Sequence, residues 1–194
     1  MTVGRPREFD EDQVLERALH IFWRLGYEAT SVTDLMEGTG LAKGSLYKAF
    51  GDKRGLFLKA LDRYLERGRD ALRRTMADAA TVGEGLEAGL ACAVRTACDR
   101  EKKGCFGVNC IIELAPHDAE VRARMETHLH KVEALYADVL GRAVERGELR
   151  RDLEPRVAAA LLSTVVNGLA VMGKASLSLR SGQAQVALLL AGWR

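Results

Sequence analysis

Between Val157 and Gly173 the chain carries no charged residue, and Ala, Leu, Val, Gly and Met fill nearly every position. Pro155 stands just ahead, at the place in a first helical turn that tolerates proline, so the segment reads as a helix over 155–175. A helix that is apolar all round must be covered all round. About 17 residues with Ser163, Thr164 and Asn167 in the middle are short and wet for a membrane span, which favours a buried helix of a soluble protein. The chain's own core covers one side, and the economical cover for the other is the same helix from a second copy. Gln183 to Trp193 add a second apolar face. The expectation is a homodimer with Leu161, Val165, Leu169 and Leu188 in its seam; the alternative is a helix central to a monomer core.

Composition sets the class of the remainder. The chain holds 27 Ala and 27 Leu against 3 Ile, and residues that keep their rotamer freedom in helices so outnumber branched ones that an all-α fold is expected. With 194 residues, 47% of them hydrophobic, a core forms without a disulfide or metal staple. Cys92, Cys98, Cys105 and Cys110 follow no CxxC spacing and read as free thiols. Met1 to Gln13 lack the apolar run and cleavage site of a secretory signal, so the expected compartment is the cytoplasm.

Near the N-terminus three short helices are expected. Asp10 and Gln13 cap a helix over 11–25 whose Val14, Leu15, Ala18, Leu19, Phe22 and Leu25 recur at helical spacing, and Gly26 ends it. Ser31 and Asp34 repeat the capping signal before a helix over 32–38, closed by Gly38 and Gly40. In 41–50, Leu46 and Phe50 face inward while Lys43, Ser45, Tyr47 and Lys48 face out. Two short helices about a glycine turn form a helix-turn-helix pattern. Residues 41–75 carry ten basic side chains against four acidic ones, a local +6 hidden beneath a total of +2, which is the footprint of a protein end that meets phosphates. The run from Arg63 to Arg74 reads equally as a solvated helix face, so no contact is assigned beyond Lys59.

From Gly4 to Leu61 the chain resembles the DNA-binding domain of the TetR family of transcriptional regulators. The resemblance rests on an ordered set: Gly26-Tyr27, Thr30-Ser31-Val32, Gly40-Leu41, Gly44-Ser45-Leu46-Tyr47, Phe50 and Lys53. Leu35-Met36 and Thr39-Gly40-Leu41 depart from the usual Ile-Ala and Ala-Gly-Val. The resemblance implies that Ser31 and Thr33 reach phosphate, that Tyr47 presents its hydroxyl to phosphate, and that Lys53 clamps the DNA backbone. Base reading then falls to Lys43 and Ser45, with Lys48 at the edge and Gly44 allowing close approach. Arg5 and Arg7 are candidates for a minor-groove arm or for a solubilising one. A twofold dimer would present its reading helices about one DNA turn apart, roughly 34–36 Å, to a palindromic operator of double-stranded DNA.

The expected organisation is a three-helix DNA-binding domain over 1–52 and a larger helical effector-binding and dimerisation domain over 53–194, about nine helices in all. Helix 53–77 connects them, and further helices are expected over 84–99, 105–115, 118–147, 155–175 and 182–192. Cys105, Phe106, Asn109, Ile112 and Glu113 would line one side of a helix, with Asn167 and Met172 facing them from the long apolar helix, as the wall of a small-molecule pocket. Simple core packing is the competing reading for each residue singly. Cys105 follows Arg100, Lys102, Lys103 and Gly104 at a helix start, where cations and the helix dipole favour thiolate. The GCFGVN run resembles the sensor domain of a TetR subgroup that answers electrophiles or oxidants through a cysteine. The competing role for Cys105 is that of a small buried hydrophobe.

No cofactor is expected, and neither a metal site nor an enzyme. His20, His117, His128 and His130 form no HExxH, and Gly83-Glu84-Gly85 lacks the Lys-Ser/Thr of a phosphate loop. The rival to a DNA-binding regulator is a helical protein-interaction module with a basic end, which sequence-specific, salt-sensitive DNA binding would exclude.

Overall fold

The computed structural model describes residues 9–98 and 101–194, and among them it contains nine helices and no strand. Arg5, Arg7 and Arg100 lie outside the described residues. The chain divides into two compact units, Met1–Tyr64 and Leu65–Arg194.

In the first unit, α1 (Glu11–Leu25) starts where the Asp10 carboxylate accepts from the backbone N–H of Asp12 and Gln13. It buries Val14, Leu15, Ala18, Leu19, Ile21 and Phe22 on one face. α2 (Val32–Thr39) opens with a complete capping box: the Ser31 hydroxyl accepts from Asp34 N, and the Asp34 carboxylate accepts from Ser31 N at 2.8 Å. Gly40, at φ +75°, adopts the left-handed conformation that a side chain resists and so stops α2. α3 (Lys43–Phe50) is anchored by buried Leu46 and Phe50.

α4 (Lys53–Ala77) runs through the division between the units. The expected boundary at residue 52 falls one residue before α4, but the first unit continues to Tyr64. Packing explains the shift. Phe57 meets Phe22 edge-to-face at 5.3 Å, Tyr64 meets Trp23 at 5.2 Å, and Lys59 pairs with Glu11 at 3.3 Å. Arg63 pairs with Asp12.

The second unit holds α5 (Val82–Ala97), α6 (Phe106–Glu113), α7 (Ala119–Glu145), α8 (Pro155–Ala175) and α9 (Leu179–Ala191). α5 begins two residues earlier than expected because Thr81 and Glu84 form a capping box, and α9 begins three residues earlier because the Ser178 hydroxyl accepts from Ser181 N. The core is built from Leu86, Leu90 and Val94 of α5, Tyr136 and Leu140 of α7, Leu162 and Leu169 of α8, and Val186 and Leu190 of α9. α8 has the length and composition to cross a bilayer. Here it packs on α5 and α7 and buries Ala158, Ala159, Leu162, Ser163, Leu169 and Ala170. At Gly173 a Cβ would collide with the backbone of Ala97, so only glycine permits this approach of α8 to the end of α5.

Candidate nucleic-acid interface

Leu46 and Phe50 turn α3 so that Lys43, Gly44, Ser45, Tyr47 and Lys48 all lie exposed on its outer face. The Lys43 ammonium lies 5.6 Å over the Tyr47 ring, a cation–π contact that gathers charge and hydroxyl into one patch. A Cβ at Gly44 would meet nothing within 4 Å, so packing inside the protein gives no reason for glycine there. α3 thus offers two ammonium groups, two hydroxyls and a bare backbone stretch on one face, donors suited to phosphate oxygens and base edges.

The flanking residues are more engaged. Ser31 is exposed, but its hydroxyl donates to the Asp34 carboxylate at 2.6 Å while accepting from Asp34 N. These bonds from the Ser31 hydroxyl and backbone hold the Asp34 carboxyl below the usual carboxylate range. Thr33 is exposed beside them on the first turn of α2. The Lys53 ammonium donates to Glu28 O at 3.4 Å and sits 4.4 Å over the Tyr27 ring, so its stem is fixed while donors remain. Lys59 is bound to Glu11 and lies over Phe50. Arg17, to which sequence reasoning assigned no role, donates to Thr39 O at 3.3 Å. Its basic type alone distinguishes it from no other α1 surface residue.

The expected effector wall does not assemble as one face. Ile112 is 60% exposed and points away from the unit's interior, which α6 meets instead through Phe106, Gly107, Val108 and Cys110. Over only eight residues, the inward face of α6 is set by its neighbours. Cys105 is the N-cap of α6 and half-buried, Phe106 is buried, and Glu113 and Asn167 are half-buried. Asn109 is drawn into the protein's own bonding: its amide donates to Lys103 O at 3.0 Å and accepts from Lys174 Nζ at 3.0 Å. Burial pushes the Cys110 thiol up, with Glu113 and Cys105 adding to the shift. Two clefts lie elsewhere in this unit. One of about 570 Å³ runs between α4 and α7 beside Glu66, Arg69, Arg73, Lys131 and Asp138. One of about 220 Å³ runs between α5 and α9 beside Ala91, Val94, Val186 and Leu190.

Of the expected seam, Leu161 is 46% and Leu188 77% exposed, and Val165 is half-buried. Leu169 is corrected. At 4% exposure it belongs to the unit's own core, whereas Val157, Val171 and Met172 join the exposed apolar face of α8.

Two family models cover most of the chain. Residues 14–60 match bacterial regulatory proteins of the tetR family, and residues 84–184 match the tetracyclin repressor-like C-terminal domain. The chain belongs to the TetR family. It is therefore a DNA-binding transcriptional regulator and not an enzyme. Among TetR-family relatives, the HTH-type transcriptional regulator YezE of Bacillus subtilis is 37% identical over 148 residues, 76% of each chain. The HTH-type transcriptional repressor ComR of Escherichia coli is 31% identical over 181 residues, 91% of this chain and 85% of that one. Among solved structures, a cysteine-substituted form of the TetR family regulator CifR, complexed with 26 bp double-strand operator DNA, superposes with a TM-score of 0.85. It is 31% identical, and the match covers 98% of this chain and 100% of that one.

Proposed function

We propose that this TetR-family protein is a cytoplasmic homodimeric repressor that reads a palindromic operator with α3 and leaves it when a small molecule binds the C-terminal unit. The observation that carries the reading is the outer face of α3, where Lys43, Ser45, Tyr47 and Lys48 surround a glycine that internal packing does not require. Lys43 and Ser45 read base edges in the major groove. Thr33, Tyr47 and Lys53 hold phosphates, Lys48 lies at the edge, and Ser31, whose one hydroxyl proton goes to Asp34, serves this face by capping α2. The exposed Leu161, Met172 and Leu188 supply the contact with a second copy, which pairs the reading helices about one DNA turn apart, roughly 34–36 Å. An effector releases the operator only by binding better to the form whose reading helices no longer fit successive grooves.

The test is selection of bound duplexes from a random pool, followed by salt titration. A twofold-symmetric consensus and a steep fall of affinity with salt are expected; enrichment of no sequence would overturn the reading.

A second reading, a switch through Cys105, is favoured by its half-buried place at the N-cap of α6 and by Lys174 packed over the adjoining Gly104. Cys105→Ser should then abolish operator release by an electrophile such as N-ethylmaleimide. Undiminished release would remove the thiol from the mechanism.

A further inference from the structure

α2 ends with no basic residue in its last turn, although the carbonyls at a helix C-terminus carry partial negative charge and favour a cation. α1 supplies one. Arg17 Nη1 donates to Thr39 O, and this nitrogen lies 3.8 Å from where a Cβ of Gly40 would stand, directly over the turn. Beneath it Thr39, only 3% exposed, donates its hydroxyl to Leu35 O and accepts from Leu41 N at 3.4 Å. The turn between α2 and α3 is thus closed by one guanidinium and one hydroxyl.

α3 depends on that closure. Its N-cap, Ala42, has no side chain able to cap, and its buried anchors, Leu46 and Phe50, lie in its middle and at its end. Lys43 and Ser45 lie in the first turn, so their aim is set by the chain that precedes them. Neither Arg17 nor Thr39 is on the outer face of α3.

We propose that Arg17 and Thr39 are positioning residues of operator recognition: they fix the turn ahead of α3, and thereby the direction in which Lys43 and Ser45 point, without touching DNA. The proposal rests on the reading of α3 as the operator-reading helix. It predicts a loss concentrated in specific binding, because the phosphate contacts of Thr33 and Lys53, which lie outside α3, are left in place and Tyr47 lies in the later turn of α3 beside its buried anchors.

The probes are a duplex enriched by the wild-type protein and a shuffled duplex of equal composition, each titrated across salt with the full chain. Arg17→Met keeps the stem and removes the charge and donors; Thr39→Val keeps the shape and removes the hydroxyl. Each should weaken binding of the enriched duplex roughly tenfold, the scale of a lost charged or buried hydrogen bond. Binding of the shuffled duplex and the slope of log affinity against log salt should not change. Arg17→Lys and Thr39→Ser should restore most of the loss, which a general packing defect would not allow.

Equal weakening on both duplexes with a slope shallower by about one would make Arg17 a phosphate contact and overturn the proposal. So would unchanged binding of the enriched duplex by Arg17→Met, whose exposed site keeps the variant folded if Thr39→Val is not. Failure of the wild type to enrich any duplex would instead sink the operator reading itself, a result distinct from either.

Discussion

α3 and α8 each leave one face uncovered, and the two faces have opposite chemistry. α3 shows Lys43, Ser45, Tyr47 and Lys48, while α8 shows Val157, Leu161, Val171 and Met172. Charged and hydroxylated groups lose little by waiting in water and gain by exchanging it for phosphate and base edges, so they suit a partner that comes and goes. Apolar groups gain most by permanent removal from water, so they suit a standing partner of the same shape. On the proposed reading, one chain carries a transient and a lasting contact surface, told apart by which side chains the core leaves outside.

Charging the apolar face is the most severe way to break this contrast. Leu161→Glu combined with Leu188→Glu should halve the mass seen by light scattering. It should lower affinity for the enriched duplex by about a hundredfold or more, because each reading helix then binds without the other. A variant that stays dimeric would show that the seam lies elsewhere. Leu169→Ala, on the buried side of the same helix, should instead lower unfolding free energy in urea by about 2–5 kcal/mol.

On the polar face, two lysines should separate reading from holding. Lys43→Ala should weaken the enriched duplex by roughly tenfold to a hundredfold and broaden base preference at one position of each half-site, as measured by reselection. Lys53→Ala should weaken every duplex a few-fold and make the salt slope shallower by about one. An unchanged slope would mean that the Lys53 ammonium serves only Tyr27 and Glu28.

A smaller effect comes from pH. His128 accepts from Arg69 at 3.0 Å through Nδ1, and burial, then Arg69 and Lys131, lower its pKa to about 4. The unfolded chain takes up this proton near pH 6.5, before the folded one does, so stability is complete above that value and declines as pH falls towards 4. Thermal unfolding of His128→Asn across this window should show a shallower decline; an identical one would place the acid sensitivity in other groups.

Legibility in the sequence followed locality. The Ser31–Asp34 capping box, the Asp10 cap of α1, the stop at Gly40 and the Pro155 start were readable because each depends on residues within one turn, whereas Gly38, expected to help close α2, lies inside it. The inward side of α6 was not. Phe106 and Ile112 are both apolar, and only the neighbours of α6 decide that the first is buried and the second exposed. Leu161 and Leu169 share a helix and a residue type, so the pattern could not tell the exposed side chain from the buried one. The reading face of α3 was legible through the inward pair Leu46 and Phe50, whereas the bond from Arg17 to Thr39 spans 22 positions and leaves no periodic trace.

The pairing of Lys59 with Glu11 and of Arg63 with Asp12 bears on how the protein behaves among the millions of base pairs that are not its target. Counted along the chain, residues 41–75 carry +6; with those two N-terminal acids included the figure is +4. Fewer uncompensated cations means weaker adherence to arbitrary chromosomal sequence, and a larger fraction of molecules left free to scan for the right one.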